Sequence, residues 1–265
     1  MNTPTSFQWA AVALATLALM GCGGGSNDPA APTPEPNPPV TLPVTPPVTP
    51  PVTTNPIPQG IWQGAPGASI AISTVVTENG QLWSVLTGAQ GTRLLKASLS
   101  ASGAGFSGTG KAFLLGSTTS AATTDTVSLS ASAVSKTSLS GSMTSTATGT
   151  PAEPFSLAYQ SRYDTPVTLA SFAGNAWTAT LGPGTLNWSI DSSGKITGTR
   201  TTGCTYSGNI SLRTEAKAVA NVAITESCPA VTQLSGVAVK TPDNTGITLL
   251  LTTTGDAQGV VIGLK

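Results

Sequence analysis

From Gly60 onward, apolar residues recur at every second position in one run after another. Examples are Ile70 and Ile72; Leu95, Ala97 and Leu99; Val127, Leu129 and Ala131; Phe155, Leu157, Tyr159 and Tyr163; Leu186, Trp188 and Ile190; and Val260, Ile262 and Leu264. A period of two with one polar face is typical of half-buried antiparallel strands. Glycine-containing turn sequences separate the runs, as at Asn79-Gly80 and Ser193-Gly194. The region therefore predicts an all-β fold without helices.

This region also divides into two similar halves. Gly60-Ile61-Trp62 opens the first half and Gly174-Asn175-Ala176-Trp177 opens the second. Each half holds about eight candidate strands, a number that suits a small closed barrel. We therefore predict two consecutive antiparallel meander barrels, residues 60–165 and 166–265, joined near Asp164. The alternative is one large sandwich built from all sixteen strands.

A proline-rich segment precedes the first barrel. Residues 23–59 begin with three glycines and then repeat a Pro-Val-Thr-Pro unit, first at Pro43-Val44-Thr45-Pro46. Proline lacks an N–H donor and disfavours both helix and sheet, so polyproline II is the expected local state. At ~3.1 Å per residue the segment would span on the order of 100 Å. We predict a disordered tether over residues 22–59.

The sequence before the tether ends in a short apolar run and a cysteine. Trp9–Met20 is apolar, and the end of this run together with the next two residues reads Leu19-Met20-Gly21-Cys22. Residues 1–22 contain no Lys or Arg, which departs from the usual signal-peptide pattern. The run is shorter than the ~20 residues of a spanning helix and has the length of a signal-peptide core. These residues resemble the lipobox of bacterial lipoproteins. The alternative is an ordinary secreted protein with a chance cysteine near the cleavage site.

The lipoprotein resemblance implies an anchor and a location. It implies that residues 1–21 are a signal peptide, that Cys22 carries diacylglycerol and a further acyl chain, and that the chain is attached to the lipid bilayer. Two or more acyl chains suffice for stable anchoring. In this family an aspartate after the cysteine favours inner-membrane retention, so Gly23 implies the bacterial outer membrane.

Two further cysteines, Cys204 and Cys228, follow in the second half. An even pair in an oxidising compartment is most simply a disulfide, and the alternative is two buried free thiols. The sequence contains no histidine. A tetrahedral zinc set is therefore not available from these two thiols and histidine, and we predict no metal and no cofactor.

The Gly-x-Trp opening at Gly60, the late Gly203-Cys204 pair and the meander order resemble the small barrels of calycins, and loosely those of surface lipoproteins similar to transferrin-binding proteins. The resemblance implies that Trp62 packs across a barrel floor. Trp177 matches the pattern with one extra residue after Gly174. No ligand-binding residues can be transferred, since no further motif matches.

Charge and motifs exclude several classes of function. The chain has 11 basic and 11 acidic residues, and without a clustered basic face we expect no nucleic-acid partner. The GxGxxG of Gly103–Gly108 is followed by a predicted strand rather than a helix, which argues for a turn and against dinucleotide binding. The SxxK of Ser192–Lys195 lies on a predicted hairpin tip. Without histidine a Ser-His-Asp triad cannot exist, and we predict that the chain is not an enzyme. Hydrolysis by a pair of carboxylates is the catalytic alternative that stays open.

The remaining reading is a membrane-anchored, non-catalytic binding module. Trp83, predicted to point away from the face of Leu82, is a candidate contact for a macromolecular partner, although packing in a core is the ordinary role of such a residue. Two alternatives stay open. One is a carrier of a small apolar ligand inside a barrel, and the other is a structural component of the envelope.

Overall fold

The computed structural model describes residues 57–64, 71–88, 91–115, 123–146 and 152–265. The predicted signal peptide (1–21), the lipidation site Cys22 and the tether up to residue 56 lie outside the described residues. Within these ranges no helix has the length and apolar character needed to cross a bilayer.

The first eight strands form a closed antiparallel barrel, barrel 1. They are β1 Gly60–Gly64, β2 Ala71–Val76, β3 Gln81–Gly88, β4 Gly91–Ser102, β5 Gly105–Leu115, β6 Thr123–Val134, β7 Ser138–Ser145 and β8 Glu153–Tyr159. Each strand pairs with the next in the chain, and β1 also pairs with β8, with Trp62 opposite Tyr159. This ladder closes barrel 1.

The next eight strands form a second antiparallel sheet in the same order, barrel 2. They are β9 Gly174–Leu181, β10 Gly184–Ile190, β11 Lys195–Arg200, β12 Thr205–Leu212, β13 Val219–Cys228, β14 Ala230–Lys240, β15 Ile247–Thr253 and β16 Gly259–Leu264. Its two edges meet where the backbones of Thr178 and Lys265 exchange two hydrogen bonds of 3.0 Å. Two consecutive eight-stranded meanders are confirmed, and the single sandwich is wrong.

Two short 3-10 turns, Ser161–Asp164 and Leu169–Phe172, lie in the connection between the barrels. The alternating pattern placed Tyr163 in the last strand of the first half, and this placement is wrong. The ladder with β1 ends at Tyr159, and the amide of Tyr163 instead donates to Gln160 at 3.0 Å within the turn. Ile57, within the predicted tether, packs against the core of barrel 1.

The period-two prediction of inward residues is confirmed in both barrels. In β4 the side chains of Leu95, Ala97 and Leu99 are buried in barrel 1, and in β10 those of Leu186 and Trp188 are buried in barrel 2. Alternate residues of each strand point to one face, so each barrel encloses its own apolar core.

A third core lies between the barrels and was not predicted. Its buried members come from the outer faces of both sheets and from the connection: Ile61, Val75, Trp83, Leu94, Phe113, Tyr163, Ala218, Val219, Val237, Val239 and Leu250. The strands concerned are apolar on both faces, as in Leu82-Trp83 and Leu249-Leu250-Leu251, which are buried throughout. The two barrels therefore pack together as one compact unit.

Candidate binding groove between the barrels

A groove of about 310 Å³ runs along the contact between the two barrels. Strands β3 and β4 supply one wall and strands β12, β13 and β14 supply the other. The lining residues are Gln81, Trp83, Lys96, Asn209, Ser211, Asn221, Val222, Ala223, Ser235 and Gly236. Outward-facing residues of β12–β14 lie side by side across the ladder, as Ser211 opposite Asn221 and Ala223 opposite Ser235. The wall on barrel 2 is therefore a sheet face of small polar side chains.

Trp83 is the aromatic residue of the groove, and its predicted role is corrected. It points out of barrel 1 as expected, but barrel 2 covers it, so that only 2% of the residue is exposed. The ring meets the neighbouring barrel within the same chain, so it does not offer its face to an outside partner. Its indole N–H is buried and has no hydrogen-bond partner among the described residues.

Lys96 lies above this indole, with its ammonium 5.0 Å from the ring centre. The same ammonium is 2.7 Å from Asp256 of barrel 2 and 3.2 Å from the hydroxyl of Thr252. Burial raises the pKa of Asp256, but the hydrogen bonds from Lys96 and Thr252 outweigh it and the pKa is lowered overall. The cation of the groove is therefore neutralised by a carboxylate across the barrel contact.

Several polar side chains of the groove form no hydrogen bond with the residues that the structure describes. The amides of Gln81 and Asn209 and the hydroxyls of Ser211 and Ser235 form no hydrogen bond within the described ranges. Asn221, which also lines the groove, accepts a hydrogen bond from Arg213 through its side-chain oxygen. These groups present both donors and acceptors to whatever fills the groove.

A buried ion pair joins the two barrels beside this groove. The Nε atom of Arg213 is 2.9 Å from each carboxylate oxygen of Glu78, and the Arg213 side chain is only 7% exposed. Burial raises the pKa of Glu78, but the hydrogen bond from Arg213, a backbone hydrogen bond and the positive charge of Arg213 together outweigh it, so the pKa is lowered overall. Because Arg213 also holds Asn221, the pair orients one wall of the groove.

Asp164, in the first 3-10 turn of the connection, also forms hydrogen bonds with both barrels. Its carboxylate accepts from Lys136 of barrel 1 at 2.7 Å, from Lys217 of barrel 2 at 2.9 Å and from Tyr159 at 2.9 Å. The hydrogen bonds from Lys136 and then Lys217 hold the pKa of Asp164 far below its usual range. The connection is thus anchored to both barrels.

The Cys204–Cys228 disulfide is confirmed, with a Cα–Cα distance of 4.7 Å. It joins the start of β12 to the end of β13, away from the groove. Beside it the hydroxyl of Tyr206 donates to Glu226, and burial, followed by this hydrogen bond, raises the pKa of Tyr206. Cys204, Cys228 and Glu226 are close enough to share a metal ion. The disulfide removes the two thiolates that such a site requires.

The described residues of barrel 1 line a small cavity of about 30 Å³. Apolar side chains line most of it, and the hydroxyls of Thr74 and Ser84 share a 2.7 Å hydrogen bond there. Small-molecule sites measure roughly 300–1,000 Å³. The described residues of barrel 1 therefore leave room for about one water molecule and not for an apolar ligand.

The two tryptophans of the Gly-x-Trp pattern pack against the cores of their own barrels. Trp62 is 1% exposed and donates its indole N–H to the carbonyl of Pro58 at 3.1 Å. Trp177 is partly buried and donates to the carbonyl of Phe172 at 3.0 Å. The extra residue after Gly174 does not prevent the second indole from packing in the same way.

The two motifs that resembled catalytic sequences are structural turns. Gly103 lies at the tip of the β4–β5 hairpin with φ +58°, and the chain continues into β5 rather than into a helix. In the β10–β11 hairpin, Asp191 accepts from the amides of Ser193 and Lys195 at 2.8 and 3.0 Å.

Comparison with protein-family profiles, with the curated proteins and with the solved structures gave no match.

Proposed function

We propose that this chain is a lipid-anchored protein of the bacterial outer membrane that binds a macromolecular partner in the groove between its two barrels, without catalysing a reaction. The anchor is the acylated Cys22, and the tether sets the barrels at a distance from the bilayer. The lipobox-like sequence would attach the chain to the membrane, and the groove would bind the partner.

The binding role is supported by the volumes of the two spaces that a ligand could occupy, the interior of barrel 1 and the groove outside the barrels. The described interior of barrel 1 holds about 30 Å³, whereas the groove outside the barrels holds about 310 Å³. A partner is therefore expected to meet outer side chains of the sheets rather than to enter a barrel. The same comparison weighs against the carrier of a small apolar ligand.

Four of the acidic side chains support a non-catalytic role, because each forms an ion pair with a lysine or an arginine of the same chain. Glu78 holds Arg213, Asp256 holds Lys96, Asp164 holds two lysines and Glu153 holds Arg93. Carboxylates engaged in ion pairs within the protein stabilise packing and are not poised as a free acid and base. These four side chains serve the barrels and the contact between them.

The anchor is tested by supplying labelled fatty acid to cells that express the full chain. We expect label in the protein and recovery with the outer membrane, and we expect both to be lost in Cys22→Ser. Ser26→Ala, a change in the same glycine-rich stretch, is the matched control and should keep both. A protein that takes up no label and remains equally membrane-associated after Cys22→Ser would refute the anchor.

The groove is tested by photo-cross-linking in the same cells. A benzophenone side chain is placed at Ser235, which lines the groove, or at Ser207, which is exposed on β12 outside it. We expect a discrete adduct at Ser235 and none above background at Ser207. Equal background at both positions would refute binding in the groove and would leave a purely structural envelope role as the better account.

A further inference from the structure

One groove gathers several polar side chains that form no hydrogen bond within the described residues. They are the amides of Gln81 and Asn209 and the hydroxyls of Ser211 and Ser235. These groups lie on the outer faces of the sheets, where water or a ligand can pair with them. The groove therefore offers amides and hydroxyls to a ligand rich in hydrogen-bonding groups.

We propose that this ligand is a short segment of an uncharged polysaccharide. The inference rests on the proposed binding function and names the chemistry of its partner. A sugar hydroxyl both donates and accepts, as do the side chains of asparagine, glutamine and serine, so the two sets match group for group. The groove, at about 310 Å³, is at the lower end of the range for ligand sites and suits a short segment.

The charges of the groove favour an uncharged ligand. Its lysine, Lys96, is 2.7 Å from Asp256, and Lys111 beside it donates to the backbone carbonyls of Asp256 and Gly255 at 3.0 and 3.3 Å. Binding an acidic polymer through Lys96 would require its separation from Asp256, and breaking such a pair leaves a carboxylate uncompensated. Acidic polysaccharides are therefore expected to bind less well than uncharged ones.

The strands around the groove disfavour an extended peptide. Strands β3, β4, β12, β13 and β14 each pair with a neighbour on both sides. Their backbone N–H and C=O groups are used in the ladders, so a peptide cannot add as a further strand there. Recognition in the groove depends on side chains, and those available are amides and hydroxyls.

The experiment measures binding of uncharged oligosaccharides to the full chain purified in detergent. The probes are maltohexaose, cellohexaose and chitohexaose, with oligogalacturonate as the charged comparison, and calorimetry reports each Kd. We expect at least one uncharged probe to bind more tightly than oligogalacturonate. Asn209→Ala should raise its Kd by about 3- to 10-fold, the effect of losing one or two hydrogen bonds.

Ser235→Trp fills the groove and should abolish binding, whereas Ser207→Trp places the same side chain on β12 outside the groove and should leave the Kd unchanged. A thermal unfolding curve of each variant verifies folding, and Asn209→Ala provides the test if Ser235→Trp does not fold. Absence of binding by all uncharged probes, preference for oligogalacturonate, or a Kd that neither groove variant changes would each overturn the inference.

The cross-linking experiment separates this failure from that of the proposed function. If Ser235 still gives a discrete adduct while no uncharged probe binds, the groove has a partner of another class, so the proposed function stands and the polysaccharide inference is wrong. If neither the adduct nor the binding is seen, both are wrong.

Discussion

Barrel 1 and barrel 2 open with the same piece of local structure. Each begins with a glycine against which an indole packs: a Cβ added to Gly60 would lie 2.8 Å from the indole nitrogen of Trp62, and one added to Gly174 would lie 2.7 Å from that of Trp177. In each case the indole donates to a carbonyl just before the first strand. Two sequences that differ in spacing thus form the same contact between a glycine and an indole, which we call the floor of each barrel.

The hairpin over this floor is also repeated. In barrel 1 the amide of Gly80 donates to Thr77 at 2.9 Å, and the carbonyl of Gly80 accepts from Leu99 at 2.8 Å. In barrel 2 the amide of Gly194 donates to Asp191 at 2.9 Å, and its carbonyl accepts from Ile210 at 2.7 Å. Both glycines have positive φ, which glycine adopts without steric cost. The halves are therefore equivalent strand for strand over their first four strands.

The two barrels differ in how they are held closed. Barrel 1 is closed by a ladder between β1 and β8, whereas the edges of barrel 2 meet at the Thr178–Lys265 pair, and only barrel 2 has a disulfide among the described residues. The barrel with the shorter closing contact thus carries the covalent cross-link. The disulfide joins the neighbouring strands β12 and β13, so it supports barrel 2 without closing the seam between β9 and β16. The same strand order is thus compatible with a longer or a shorter closing contact.

Trp83→Ala is expected to have the largest effect, because it removes a fully buried side chain from the core between the barrels. A buried Trp→Ala change costs roughly 3–5 kcal/mol. We expect a loss of this size in the free energy of unfolding, measured in urea, and separate unfolding transitions for the two barrels. Trp83→Phe should lose clearly less, since the indole N–H has no partner among the described residues. A loss under about 1 kcal/mol for Trp83→Ala would contradict the shared core.

Removal of the disulfide is the next largest change and should affect one barrel alone. The bond closes a loop with a sequence separation of 24 residues, for which the chain-entropy estimate is about 3 kcal/mol. In the double variant Cys204→Ala, Cys228→Ala we expect faster amide hydrogen exchange in β12–β14, with β6–β8 of barrel 1 as the internal control. Equal acceleration in both sets of strands would show that the disulfide supports the whole unit rather than barrel 2.

The repeated floor predicts equal losses for two distant glycines. Gly60→Ala and Gly174→Ala each place a methyl group against an indole and should each cost roughly 1–3 kcal/mol, as overpacking does. Gly263→Ala is the matched control, because its Cβ would meet no atom within 4 Å. Thermal unfolding measures all three. A marked loss at Gly60 with none at Gly174 would show that the two floors are not equivalent.

The smallest expected effect concerns pH and the connection between the barrels. The pKa of Asp164 is lower in the folded chain than its ordinary value of 3.8, because Lys136 and Lys217 donate to the carboxylate. This stabilisation is complete above about pH 4 and is lost as the pH falls through the folded pKa. Asp164→Asn should cost about 1 kcal/mol at pH 7, as partly exposed ion pairs do, and the difference from the unchanged chain should shrink below pH 4.

The two lysines divide this effect between the barrels. Lys217 of barrel 2 is 26% exposed and Lys136 of barrel 1 is 64% exposed. Lys217→Met should therefore cost more than Lys136→Met in urea unfolding at pH 7, because an exposed pair is screened by solvent. The reverse order would mean that the connection is held mainly by barrel 1.

The sequence alone predicted the strands and the barrels because each inward residue follows the period of two. Leu95, Ala97 and Leu99 show the pattern directly, and the turn glycines mark where each strand ends. The contact between the barrels was missed, although its signal is visible in runs such as Leu82-Trp83 and Leu249-Leu250-Leu251. Such a run indicates burial on both faces, but it does not say which other surface provides the cover.

The candidate groove was not predictable from the sequence for a related reason. Gln81, Asn209 and Ser235 are far apart in the chain and are ordinary exposed residues of a polar strand face. They come together because the barrels pack on each other, and Arg213 with Glu78 and Lys96 with Asp256 form ion pairs across that contact. These ion pairs join residues separated by 135 and 160 positions. Local patterns carry no information about pairings of this length.

The most direct test of the double-barrel account is hydroxyl-radical footprinting of the tryptophans in the intact folded chain, read by mass spectrometry. Trp62, Trp83 and Trp188 are each at most 2% exposed, whereas Trp177 is partly buried. We expect Trp83 to be oxidised as slowly as Trp62 and Trp188, and Trp177 to be oxidised faster. Oxidation of Trp83 at the rate found in the urea-unfolded chain would show that the barrels do not pack on each other, and the groove between them would not exist.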